Sequence, residues 1–240
     1  LANSQGTLCQ HGEFSVGCYT SALVERDGRQ SMHSQGQYGR RFDELDSQTL
    51  IEQIHAVAPE MHLHAFRPPE VRDGAARMGL SIPEFLSRAR DVGLGSVPGT
   101  AAQILDDEVR ARLSGGSAPP VSEWIESIEA AHDVGLFSTS TLLYGHVESS
   151  RHIVAHLRLL NEIQDRTGGF SELIVMPMLP SMAPAHLGAA GTASRRETRA
   201  VHAVARLLAR PLPVPVVWNS GGYDRVDTLR GLEEIGRAHV

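Results

Sequence analysis

Lysine is absent from this chain: the sequence contains 22 basic residues, and every one of them is arginine. A P-loop nucleotide site needs a lysine beside the phosphates, and Schiff-base catalysis needs a lysine amine. Both kinds of site are therefore excluded within these 240 residues. The net charge of -6 also argues against a nucleic-acid partner, because binding to phosphates needs a basic face.

Cysteines and long apolar runs are scarce as well. The two cysteines, Cys9 and Cys18, are too few for a disulfide scaffold and lack the spacing of a zinc site with histidine. No run of about 18 apolar residues occurs, and the first residues lack the basic and apolar regions of a signal peptide. The sequence therefore predicts a cytoplasmic protein that has no membrane partner.

Short β-rich runs alternate with longer amphipathic runs from residue 60 onward, which is typical of βα units that build a parallel sheet. The predicted strands lie at residues 61–66, 94–97, 137–144, 173–178 and 214–219. The predicted helices lie at residues 49–58, 82–92, 123–134, 149–166 and 197–210. Five βα units are visible, whereas a closed barrel has eight. We therefore predict an α/β fold, a partial TIM-like barrel that is incomplete on its N-terminal side.

The two ends of the chain differ from this pattern. Residues 1–40 are rich in serine, glycine, glutamine and histidine, and no strand or helix period persists there. We predict three regions: a poorly specified N-terminal segment over 1–40, a barrel over 41–210 and a separate tail over 211–240.

Five blocks of the chain resemble one enzyme family. They are MHLHAFRPPEV (61–71), GLSIPEFLSRARDVGLGSVPGTAAQILDDEVR (79–110), STSTLLYGHVES (138–149), HLRLLNEIQDRTGGFSELIVMPML (156–179) and AVHAVARLL (200–208). Together they resemble the radical S-adenosylmethionine (SAM) enzymes of the FO synthase family, which build the deazaflavin chromophore of coenzyme F420. Within this family, the subunit that joins tyrosine to 5-amino-6-(D-ribitylamino)uracil is the most similar one, on the basis of three segments: GTAAQIL, TSTLLYGHVE and APAHLG. The tail at 212–233 instead resembles proteins of the pyruvate-formate-lyase-activating-enzyme type.

The resemblance implies a radical SAM barrel with a 4Fe-4S cluster and SAM bound to the open iron of that cluster. In the family, reductive cleavage of SAM gives a 5'-deoxyadenosyl radical that abstracts hydrogen from L-tyrosine, and the tyrosine-derived hydroxybenzyl group is added to the ribityl-aminouracil. A companion FO synthase subunit is a further implied partner.

The cluster ligands depart from the family pattern. The family binds its cluster through three cysteines spaced C-x3-C-x2-C, and the nearest match here is FSVGCYTSA at 14–22. Cys18 stands at the middle position, whereas Phe14 and Ser21 occupy the other two. Two hypotheses follow: the cluster loop lies upstream of Leu1, or the two ends were joined from other sources in a chimeric reading frame. In both cases the chain as written is expected to be an inactive fragment or a degenerate member.

Candidate site residues follow from the resemblance and from the ends of the predicted strands. The predicted catalytic residues are Tyr144, His146 and His64; the cofactor-binding residues are Gly99, Thr100, Ser140, Thr141, Gln35 and Gly36; the substrate-binding residues are His62 and Glu148; and the cluster ligand is Cys18. In the strand 137–144, either the serines or the threonines line the lumen, because the two-residue period fixes only that they lie on opposite faces.

Two other functions fit the same residues. A non-catalytic barrel would keep a pocket for the uracil or for SAM. A metal-dependent TIM-barrel hydrolase is the other alternative, indicated by twelve histidines that include the H-x-H of His62 and His64.

Overall fold

A computed structural model describes residues 16–26, 29–40, 62–179, 183–187, 193–209 and 216–218. Side chains are described for these residues except in 16–35 and 216–218. The chain divides into two compact units, Leu1–His62 and Leu63–Val240. The predicted helix at 49–58 and the cysteine Cys9 lie outside the described residues.

The N-terminal unit contains an antiparallel hairpin. β1 (Val16–Arg26) pairs with β2 (Arg29–Gly39), with Val16 opposite Gly39 and Arg26 opposite Arg29. The sequence predicts no regular element in this region, so the hairpin is a difference between expectation and structure. β2 is rich in Ser, Gln and Gly, and the apolar residues of β1 do not alternate strictly with polar ones, so neither strand shows the alternation by which a half-buried strand is recognised.

The second unit is built on a five-stranded parallel sheet in the order β3-β4-β5-β6-β7. Its strands are β3 (Leu63–His64), β4 (Leu94–Val97), β5 (Phe137–Tyr144), β6 (Phe170–Pro177) and β7 (Val216–Trp218). Each strand pairs with the next one along the chain, which is the arrangement of a βα barrel. The predicted α/β fold and all five predicted strands are confirmed, although β3 is shorter than expected.

Helices connect these strands. They are α1 (Pro68–Met78), α2 (Ile82–Asp91), α3 (Asp107–Ser114), α4 (Val121–Asp133), α5 (Ser150–Thr167) and α6 (Arg195–Leu208), with a short 3₁₀ helix at Ala185–Leu187. The helix α1 was not predicted, because two prolines at its start and a glycine inside it obscure the helical pattern. The helix predicted at 123–134 begins two residues earlier, at Val121, and Pro120 occupies its N-cap position.

The apolar core lies between the sheet and the helices. Leu142 on β5 and Leu173 and Val175 on β6 belong to one buried cluster with side chains of α4, α5 and α6. A second cluster joins α1 and α2 to β4 and the end of α4. This packing leaves the opposite face of the sheet, here called the inner face, for other contacts. None of the helices among the described residues is long and apolar enough to cross a membrane.

Candidate functional site

The two hydroxyl sets of β5 lie on different faces of the sheet. Ser138 contacts His132 of α4 through a 2.8 Å hydrogen bond, and Leu142 packs in the helix-side core, so this set faces the helices. Ser140 shares that face by the two-residue period and donates to the Glu172 carbonyl. Thr139 and Thr141 therefore lie on the inner face. The structure thus decides between the two alternatives that the sequence left open.

Gly99 follows β4 and lies directly against β5. Its N–H donates to the Thr139 hydroxyl (2.9 Å), and its carbonyl accepts from the Thr141 hydroxyl (3.2 Å). A Cβ atom at Gly99 would lie 2.7 Å from the Thr139 carbonyl carbon and closer still to the oxygen. The Thr141 hydroxyl therefore stabilises this turn. Because Thr141 is only 1 % exposed, it has little surface for a ligand. Glycine is required here for close approach of two backbones.

Thr100 is the next residue of the turn, and its hydroxyl is buried. Among the described residues this hydroxyl has no hydrogen-bond partner. A buried polar atom without a partner is uncommon in folded proteins and is a signal of a missing ligand or water. The prediction that Thr100 contacts a cofactor is consistent with this orphaned hydroxyl.

Arg110 and His156, which were not predicted as site residues, stabilise the loop that follows Gly99. The Arg110 guanidinium donates to the carbonyls of Ala101 and Ala102, and His156 accepts the Leu105 N–H at its Nδ1 atom (3.0 Å). His156 is fully buried, and burial lowers its pKa from 6.5 to about 4. A histidine on the apolar face of α5 was the available signal for this role.

The turn after β5 is organised by Glu148. Its carboxylate accepts the N–H groups of Gly145 (2.6 Å) and His146 (2.8 Å). The His146 Nε2–H donates to the Leu143 carbonyl (3.0 Å), while Nδ1 lies 3.1 Å from Glu148. Burial lowers the pKa of His146, and Glu148 acts in the opposite direction. Both predicted residues are therefore engaged within this turn, and the His146 side chain has no exposed surface.

Replacement of Glu148 by glutamine tests this role. Glutamine retains one carbonyl oxygen, so one of two charge-assisted bonds to backbone N–H groups is lost, and we expect a loss of about 1–3 kcal/mol of unfolding free energy. Urea denaturation at pH 7 measures it. Glu162→Gln, at an exposed position on α5, is the control and should leave the midpoint unchanged. Equal midpoints for Glu148→Gln and the parent chain would contradict the assignment.

Tyr144 lies at the end of β5 with its side chain in the helix-side core. It is 1 % exposed and contacts His202 of α6 edge-to-face, with ring centroids 6.0 Å apart. The sequence placed Tyr144 at an open strand exit, and the structure places its ring on the opposite side from the inner face. The two-residue period explains the difference, because Tyr144 shares the face of Leu142.

His64 lies on β3 and is exposed, with Nδ1 2.6 Å from the Ser96 hydroxyl of the neighbouring strand. The inner face also offers partly exposed apolar side chains: Leu143 on β5 pairs in register with Met176 on β6, and both point away from the helix-side core. An apolar lining with a few polar groups is characteristic of small-molecule sites. Of the three predicted catalytic residues, His64 is the one with exposed surface on this face.

The remaining predicted residues lie in the N-terminal unit. His62 is exposed and belongs to that unit, and Gln35, Gly36 and Cys18 lie in the hairpin. Thr20 pairs with Gln35, Tyr19 with Gly36, and Cys18 with Gln37. Throughout the parts of the chain that the structure describes, no three His, Cys, Asp or Glu side chains come together as a metal site. Among these residues, His62 and His64 of the H-x-H motif therefore have no third side chain with which to bind a metal ion.

Comparison with known proteins identifies relatives of this chain. No protein-family model matches it. The FO synthase of Mycobacterium tuberculosis is 50% identical over 193 residues, which is 78% of this chain and 22% of that protein. The 5-amino-6-(D-ribitylamino)uracil--L-tyrosine 4-hydroxyphenyl transferase of Methanothermobacter thermautotrophicus is 37% identical over 225 residues, which is 89% of this chain and 59% of that protein. The chain thus spans a minor part of the bacterial proteins and over half of the archaeal one.

A solved structure supports the fold. HydG, a maturase of the FeFe-hydrogenase, superposes with a TM-score of 0.50 over 82% of this chain and 51% of that protein, at 14% identity. The identity is too low for more than the fold. With the sequence similarity, this places the chain in the FO synthase family of radical SAM proteins, with a partial radical SAM barrel as its fold.

Proposed function

We propose that this chain forms the substrate-binding barrel of a transferase that joins a tyrosine-derived hydroxybenzyl group to 5-amino-6-(D-ribitylamino)uracil in the formation of FO. The observation that carries the proposal is the similarity to the archaeal transferase, which extends over 89% of the chain and is named for these two substrates. The chain spans 59% of that protein, so the proposal concerns its barrel portion.

The inner face of the sheet has chemistry that suits these substrates. Leu143, Ile174 and Met176 provide partly exposed apolar surface against which a flat ring can pack. His64 adds an exposed imidazole that can donate or accept a proton at a substrate oxygen or nitrogen. In this proposal His64 contacts the substrate, while His146 and Glu148 shape the turn after β5.

The two groups implied by the family fit this chain unequally. SAM fits, since the orphaned Thr100 hydroxyl in the turn after Gly99 can bond a polar group of SAM or of a substrate bound next to it. The 4Fe-4S cluster does not fit, because it requires three thiolates and these 240 residues contain two cysteines. Within these residues the chain's own contribution is therefore to bind and orient substrate and to exclude water.

Calorimetry with 5-amino-6-(D-ribitylamino)uracil tests substrate binding. We expect saturable binding to the parent chain and about tenfold weaker binding to His64→Ala, as for the loss of one good hydrogen bond. Ser140→Ala is the control, because its hydroxyl lies on the helix side of the same sheet. A folded parent chain that binds no uracil, or equal affinities for all three proteins, would contradict the proposal.

Iron analysis tests the mismatch with the cluster. After anaerobic reconstitution with iron and sulfide, we expect far fewer than four irons per chain, because two cysteines cannot supply three cluster ligands. A stoichiometric cluster with its visible absorption band would contradict this expectation. Uracil binding together with little iron would favour the second candidate function, a non-catalytic ligand-binding barrel, for the chain as written.

A further inference from the structure

The loop between β4 and α3, residues 98–106, has an unusual backbone. Ala101 has a φ of 74° and Gln103 a φ of 51°, so two residues with side chains adopt the left-handed conformation within three positions. This conformation costs about 1–2 kcal/mol for a residue that carries a Cβ atom. Such strain persists only where surrounding contacts hold the backbone, and it is concentrated at functional sites.

Arg110 of α3 supplies much of that hold. Its Nη1 donates to the carbonyls of Ala101 (2.6 Å) and Ala102 (2.9 Å), while Nε and Nη2 donate to the carbonyl of Pro119 (3.3 and 3.2 Å). Arg110 is 3 % exposed, so its guanidinium is buried and bonds to three backbone carbonyl oxygens instead of water. A planar fork of donors suits this arrangement, and a lysine ammonium could not reproduce it.

The opposite edge of the loop is left with one unused donor. Residues 100 and 101 form a hydrogen-bonded turn there. The Thr100 hydroxyl in this turn is buried and has no partner among the described residues. The carbonyls of Ala101 and Ala102 are therefore bonded to Arg110, whereas the Thr100 hydroxyl is available to an acceptor oxygen of a ligand.

We propose that Arg110 is a positioning residue for the candidate site: it holds the strained β4–α3 loop in the conformation that presents the Thr100 hydroxyl to the substrate. The inference rests on the proposed function for the identity of the substrate, and on the geometry alone for the effect on the loop. The carbonyl and hydroxyl oxygens of 5-amino-6-(D-ribitylamino)uracil are acceptors of the required kind.

A matched pair of substitutions separates this role from general stabilisation. Arg110→Lys keeps the charge and removes the fork. Arg72→Lys makes the same change at an arginine that lines a small cleft together with Arg110 and Ala101, but whose ion pairs are with Glu123 and Glu126. We expect binding of 5-amino-6-(D-ribitylamino)uracil to weaken about tenfold in Arg110→Lys and to stay unchanged in Arg72→Lys.

Hydrogen exchange gives a readout that needs no ligand. The Leu143 N–H donates to the Gln103 carbonyl and the Leu105 N–H donates to His156, so both amides report whether the loop stays in place. We expect peptides that cover 98–106 and 141–146 to exchange at least about tenfold faster in Arg110→Lys, and at the parent rate in Arg72→Lys.

A rescue experiment completes the test. Glycine adopts a φ of 74° without steric cost, so Ala101→Gly should restore part of the affinity and of the exchange protection when combined with Arg110→Lys. Unchanged exchange in Arg110→Lys, or a double variant no better than the single one, would overturn the proposal. If the parent chain does not bind 5-amino-6-(D-ribitylamino)uracil, the proposed function is wrong. The hydrogen-exchange measurement still tests the role of Arg110 in that case.

Discussion

Replacement of Gly99 by alanine should destabilise the barrel by about 3 kcal/mol or more. The Cβ atom would come within 3.0 Å of three backbone atoms of Thr139 and Ser140, and none of them belongs to a side chain that can turn away. β4 and β5 would have to separate, and the hydrogen bonds of Gly99 to Thr139 and Thr141 would be lost with that movement. Urea denaturation at pH 7 measures the change.

The control for this effect is Gly79→Ala at the end of α1. Gly79 has a φ of 64°, and nothing lies within 4 Å of an added Cβ atom, so its replacement measures conformational strain alone. We expect about 1 kcal/mol for this variant. If Gly99→Ala cost no more than Gly79→Ala, the close approach of the two strands would not be a determinant of stability.

Acidification should destabilise the folded barrel between pH 6.5 and 4 through His156. Burial lowers the pKa of this histidine to about 4 in the folded chain, whereas the unfolded chain titrates near 6.5. Above pH 6.5 both states are neutral and the histidine causes no pH dependence. As the pH falls, the unfolded chain takes up the proton first, so stability is lost down to the folded pKa, by about 3 kcal/mol.

Equilibrium unfolding at a series of pH values checks this prediction. His156→Gln keeps an acceptor for the Leu105 N–H and cannot titrate. Unfolding of the variant should therefore take up about one proton fewer than unfolding of the parent chain between pH 6.5 and 4. Its stability at pH 7 is the baseline for the comparison. His132, whose pKa burial also lowers to about 4, remains in the variant and should preserve part of the slope. Identical slopes for the two proteins would contradict the role of His156.

The regular parts of the barrel could be predicted because their signals are local. Ser81 begins α2 by accepting the Glu84 N–H, and Gly168 ends α5 in the left-handed conformation; serine and glycine are typical of these two positions. β5 and β6 are recognisable as long β-rich runs between helices. The hairpin in the N-terminal unit gave no such signal, because β2 is polar and the apolar residues of β1 do not alternate strictly with polar ones.

The site itself was only partly predictable, because the tertiary structure determines on which face of the sheet a side chain lies and how deeply it is buried. Gly99 and Thr100 were selected from a strand-to-helix turn, and the structure gives that turn an unpartnered hydroxyl. Tyr144 was selected for the same kind of position, yet its ring lies in the core, because the packing of α6 determines which face of β5 is covered. Arg110 has no local signal, since its carbonyl partners are defined only after the loop has folded.

The sequence alone determined the absence of lysine chemistry, the alternation of strands and helices, and a cysteine content too small for a cluster with three thiolate ligands. These properties depend on which residues are present and on their spacing, and folding does not alter them. Only the tertiary structure decided which face of β5 points away from the helices and which buried groups hold the β4–α3 loop. Both depend on helices that pack against the sheet from distant parts of the chain, and such contacts leave no period in the sequence of the strand itself.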